Sequence, residues 1–201
     1  LLSLADRGIL LAVVSKNDAP VAEEVFRRHA DMLIRWEDLA AMFRAEADAV
    51  ADPGAAADLL QRIGEILERR LGRMDDAIAA YREAVTLAPA HAPALFALAR
   101  LYRARGDDES LVEILQAQAA ARTADDERAA ALLEAARITE GALADPRRAI
   151  EIYEEALRIV PSLAPALGAL DRLYAETGRA DALAALRRGP EGAGDRAERL
   201  L

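Results

Sequence analysis

Apolar residues recur along most of this chain at spacings of three and four, the period of an amphipathic helix. Ala77, Ile78, Tyr81, Ala84 and Val85 share one face, and Leu95, Leu98, Leu101 and Tyr102 share another. Pro89 and Pro161 end helices that cannot run through them, and Gly106 and Gly178 fall where paired helices turn. The same pattern returns at a constant offset of 72 residues. Ala77-Ile78-x-x-Tyr81-x-Glu83-Ala84 comes back as Ala149-Ile150-x-x-Tyr153-x-Glu155-Ala156, and Leu95, Leu98, Arg100, Leu101 and Tyr102 come back as Leu167, Leu170, Arg172, Leu173 and Tyr174. Across 77–106 against 149–178, 16 of 30 positions are identical, so one period is two helix-turn-helix units of about 36 residues.

The offset fails upstream of residue 35. Ile9 stands where Tyr81 predicts an aromatic, and Glu23 where Leu95 predicts an apolar residue. It resumes at Trp36-Glu37-Asp38-Leu39, which places a seam near residues 34–36. Within 1–35 the unbroken run from Ile9 to Val14 predicts a buried strand, Val21–His29 an amphipathic helix and Met32-Leu33-Ile34 a second strand. The expectation is a mainly α protein: an α-solenoid of about four helix pairs over 36–188, behind a small βαβ remnant over 1–35 and ahead of a tail at 189–201.

Composition sharpens this picture. Hydrophobic residues make up 53% of the 201 residues but aromatics only 4%, so the apolar faces are largely Ala and Leu, both strong helix formers. With no Cys, disulfides and thiolate metal sites are excluded, and the two His, at 29 and 91, are too far apart in sequence for a His-pair metal motif. A net charge of −9 argues against nucleic-acid binding. The apolar run Ile9–Val14 is too short to cross a membrane. The near absence of Lys and the lack of Cys point to a high-GC bacterial cytosol.

The spacing of small residue, aromatic, Ala and Pro (Ala77, Tyr81, Ala84, Pro89 and Ala149, Tyr153, Ala156, Pro161) resembles the second helix of a tetratricopeptide repeat. Leu95, Leu98, Tyr102, Gly106 and Leu167, Leu170, Tyr174, Gly178 resemble its first helix, with Leu in place of the usual Trp. The units at Leu59–Leu71 and Ala129–Leu143 are degenerate in their first helices and are expected to be one residue longer. The resemblance implies a protein-interaction scaffold without catalysis or cofactor, holding a protein or peptide partner in a groove. Phe96, Arg100, Arg103 and Arg172 are the outward-facing candidates there, three guanidiniums beside an aromatic suiting an acidic or C-terminal segment. Self-association through terminal helices is the structural alternative.

Residues 1–40 are similar to a fragment of the FkbH-like branch of the haloacid dehalogenase superfamily. Ser15, Lys16 and Asn17 follow the predicted strand, and Ser15 takes the place of that family's phosphate-contacting hydroxyl. The resemblance implies a fragment of a Mg²⁺-dependent phosphatase or acyl-transfer enzyme. The family's nucleophilic Asp and metal-binding acidic motif are absent from this sequence, so the chain is expected not to be an enzyme as it stands.

Overall fold

The structure is a computed structural model and describes residues 35–188. The strands expected in 1–35, the Ser15-Lys16-Asn17 loop and the tail at 189–201 lie outside the described residues. The chain divides into two compact units, 1–39 and 40–201. Among the described residues every regular element is a helix. They are α1 (Trp36–Ala49), α2 (Pro53–Arg69), α3 (Met74–Leu87), α4 (Ala92–Arg105), α5 (Asp108–Ala121), α6 (Asp125–Gly141), α7 (Pro146–Ile159), α8 (Ala164–Glu176) and α9 (Ala180–Arg188).

The 72-residue offset is visible in the helix boundaries themselves. Adding 72 to the limits of α1, α2 and α3 gives those of α5, α6 and α7. From α2 onward each helix packs on the next, forming the four expected pairs α2–α3, α4–α5, α6–α7 and α8–α9. Packing only between neighbours is the defining property of a solenoid. The first helices α2 and α6 have 17 residues against 14 in α4.

Local chemistry sets these limits. Pro53, Pro93, Pro146 and Pro165 stand in first turns, where a missing N–H costs nothing. Asp52 and Asp145 cap α2 and α7 by accepting from the N–H groups of Ala55 and Arg148, at 2.8 and 3.0 Å. His91 caps α4 less commonly: its Nδ1 accepts from the Ala94 N–H at 3.2 Å, so its Nε2 carries the proton and donates to Asp58 of α2 at 3.0 Å.

The core is the periodic set. Ala77, Ala84, Ala149 and Ala156 are fully buried, as are Leu98 and Ile150, with Tyr81 and Tyr153 nearly so. Methyl-sized side chains let neighbouring helices approach closely, and the two tyrosines fill the space between them. Gly64 carries this further: a Cβ there would lie 2.5 Å from the Tyr81 ring. Leu167, the counterpart of buried Leu95, is only half-buried. It belongs to the last pair, whose second helix α9 has 9 residues.

Candidate functional site

The first helices α2, α4 and α6 align their outward residues along one groove, closed on one side by α5. This groove has a volume of about 600 Å³. Arg69, Arg100, Arg103 and Arg122 line it against only two carboxylates, Glu65 and Glu134. Each of these four arginines has a carboxylate within 4.0 Å, Glu65, Glu68, Glu134 and Glu127 respectively. A smaller hollow of about 240 Å³ between α5 and α6 shares Leu115, Gln118, Arg122 and Glu134 with it, so the two are continuous.

Phe96 is the exposed apolar feature of the groove. It is 58% exposed, the highest value among the large hydrophobic residues described. The Arg122 guanidinium lies 5.5 Å from its ring centroid, within cation–π range. Phe96, Arg100 and Arg103 line the same groove. Arg172 does not join them; it sits on α8, one period downstream, and lines neither hollow.

Each of the three candidate arginines is paired with a carboxylate. Arg100 donates to the buried Glu68 of α2 at 2.6 Å, and the Tyr81 hydroxyl donates to the same carboxylate at 3.2 Å. Arg172, Glu140 and Tyr153 repeat this arrangement 72 residues on: both Arg172 and the Tyr153 hydroxyl donate to Glu140, the latter at 2.9 Å. Each set joins two first helices through a carboxylate held from below by a tyrosine of the intervening second helix. Arg103 extends the ladder forward, donating to Glu134 of α6 at 2.5 Å. Arg69 is the loosest cation of the groove, 68% exposed at its side chain and 4.0 Å from Glu65.

The tyrosines register this setting. Burial, then the hydrogen bond and charge of Glu140, push the Tyr153 hydroxyl up to about 12. Tyr81 is raised further, first by burial and then by the negative charge of Glu68 and Glu65. Tyr174, buried and donating to Glu154 at 2.8 Å, is pushed up to about 12. None of these three hydroxyls is poised to exchange a proton near neutral pH.

Among the described residues no group of three His, Asp or Glu side chains is placed to hold a metal ion. No described helix is long and apolar enough to cross a membrane. The described residues thus form a helical repeat array with a groove along its first helices. Residues 57–91 and 94–130 each match a family model described as tetratricopeptide repeat. These two matched stretches are tetratricopeptide repeats, a repeat type that serves protein–protein interaction. Two crystal structures of MamA are similar to it, at 20% identity over 86% of this chain and 95% of that chain with TM-score 0.41, and at 19% over 76% and 86% with TM-score 0.41. A Podosopora anserina structure titled for kinesin light chain nearly identical TPR-like repeats is similar at 18% identity over 88% of this chain and 92% of that chain, with TM-score 0.43. No curated protein matches the sequence. The dehalogenase resemblance of residues 1–40 finds no support in these matches.

Proposed function

We propose that the groove between α2, α4, α5 and α6 holds an extended acidic segment of a partner protein, anchored by an apolar side chain on Phe96. The observation that carries this reading is the exposure of Phe96 beside a row of guanidiniums. A Phe ring left in water forgoes roughly 1.5–3 kcal/mol of burial, and a partner side chain laid on it recovers part of that. The surrounding arginines supply the electrostatic match and the association rate. The same composition supports a bacterial cytosolic setting as part of this proposal.

Phe96→Ala is the test. Because Phe96 is exposed, its loss is expected to leave helix content and melting temperature within error. Partner capture from a bacterial lysate is expected to fall at least fivefold. Charge reversal at Arg100 would be a poorer test, since it also breaks the bond to Glu68. Undiminished capture by Phe96→Ala would remove the groove from the mechanism.

A further inference from the structure

In α3 and α7 the residue three beyond the core tyrosine is a fully buried Ala, Ala84 or Ala156. At the corresponding place in α5 stands Gln118, 6% exposed, while the α1 counterpart, Glu46, is exposed. An amide buried where an alanine would pack is a local departure from the repeat, and such departures concentrate at functional sites.

Both ends of the amide are hydrogen-bonded. Its Nε2 donates to the backbone carbonyl of Leu95 in α4 at 3.2 Å, and its Oε1 accepts from Arg122 Nη1 at 3.4 Å. Only this orientation satisfies both neighbours, since a carbonyl needs a donor and a guanidinium an acceptor. Arg122 is thereby held over the Phe96 ring, with its Nε 3.4 Å from Glu127, whose side chain is 67% exposed. The order Leu95, Gln118, Arg122, Phe96 runs from the core to the groove surface. The next period lacks the ring: Gly168 replaces Phe96.

We propose that Gln118, Arg122 and Phe96 form one recognition site for a peptide carboxylate flanked by an apolar side chain. The carboxylate takes Arg122 from the exposed Glu127, the apolar side chain lies on Phe96, and Gln118 is the positioning residue that fixes the guanidinium between them. This rests on the groove reading above and narrows it to one subsite and one ligand chemistry. Because Phe96 occurs in one period only, the site also sets the register of the partner along the groove.

The experiment is selection of a phage-displayed library of random heptapeptides on the full chain, followed by titration of enriched peptides. The expected consensus carries Asp or Glu next to an aliphatic or aromatic residue. Affinity is expected to fall about tenfold for both Arg122→Gln and Gln118→Ala, the loss of one charge-assisted contact or of its alignment. Arg172→Gln should change affinity less than twofold. Gln118→Ala installs the residue that α3 and α7 already bury, so its melting temperature is expected to hold or rise. A structural amide would instead lower it while leaving peptide affinity alone, and that result overturns the proposal. Enriched peptides that ignore Arg122 and Gln118 but depend on Arg69 or Arg103 also overturn it while sparing the groove. Absence of any enrichment overturns both.

Discussion

Arg100 of α4 reaches back to Glu68 of α2 at 2.6 Å, and the carboxylate it meets is buried while the guanidinium is half in water. The pair is therefore asymmetric. Arg100→Ala removes a half-exposed partner and is expected to cost about 1 kcal/mol or less. Glu68→Ala strips the acceptor from both Arg100 and the buried Tyr81 hydroxyl, at about 1–3 kcal/mol. Urea unfolding of the two variants should rank them in that order, and the double variant should fall short of their sum. Equal costs for the two would refute the assignment of Glu68 as the shared node.

Alkaline pH should loosen the solenoid. Tyr153 and Tyr174 titrate at about 12 in the folded protein, above the ordinary value of about 10. A raised folded value means a stabilising contribution complete below about pH 10 and lost as pH climbs from there through about 12. The urea midpoint is expected to decline across that window. In Tyr153→Phe/Tyr174→Phe the decline should be shallower, because neither ring can ionise.

Two helical glycines should respond to a methyl group in opposite directions. A Cβ on Gly64 would strike the Tyr81 ring, so Gly64→Ala is expected to destabilise by about 1–3 kcal/mol. A Cβ on Gly168 meets nothing within 4 Å, so Gly168→Ala should stabilise by up to about 1 kcal/mol through helix propensity. Thermal melts of both read the sign directly.

Ala144 is the counterpart of Gly72, and both have left-handed backbones, with φ of 51° and 65°. The same bond pattern closes both turns: Arg73 N–H to Leu67 O at 2.8 Å, and Asp145 N–H to Thr139 O at 3.0 Å. Glycine takes this conformation freely and alanine pays about 1 kcal/mol. Ala144→Gly is therefore expected to raise the melting temperature by a few degrees, whereas Gly72→Ala should lower it.

The periodic face of each helix was readable from the chain because Tyr81, Ala84, Leu95 and Leu98 repeat at an offset that chance does not hold. The pairing of the groove arginines leaves no local trace, because Arg100 and Glu68 are 32 residues apart on different helices. A signal existed all the same: Glu68, Tyr81 and Arg100 recur together as Glu140, Tyr153 and Arg172, and side chains that repeat as a set repeat as a contact. Gln118 was passed over for the opposite reason. It breaks the pattern, and a search for periodicity discards what does not recur. Phe96 lies off the apolar stripe of its helix, whereas its pairing with Arg122 depends on how α5 turns against α4.

The agreement of helix boundaries at a 72-residue offset has a genetic corollary. The stretches α2–α4 and α6–α8 begin at matching points of the fold, 72 residues apart. A slipped exchange between them would add or delete four whole helices and splice each new neighbour onto a face that already accommodates its counterpart. Phe96 and Gln118 would be copied or lost with that block, so the number of recognition subsites would change in step with the length of the gene.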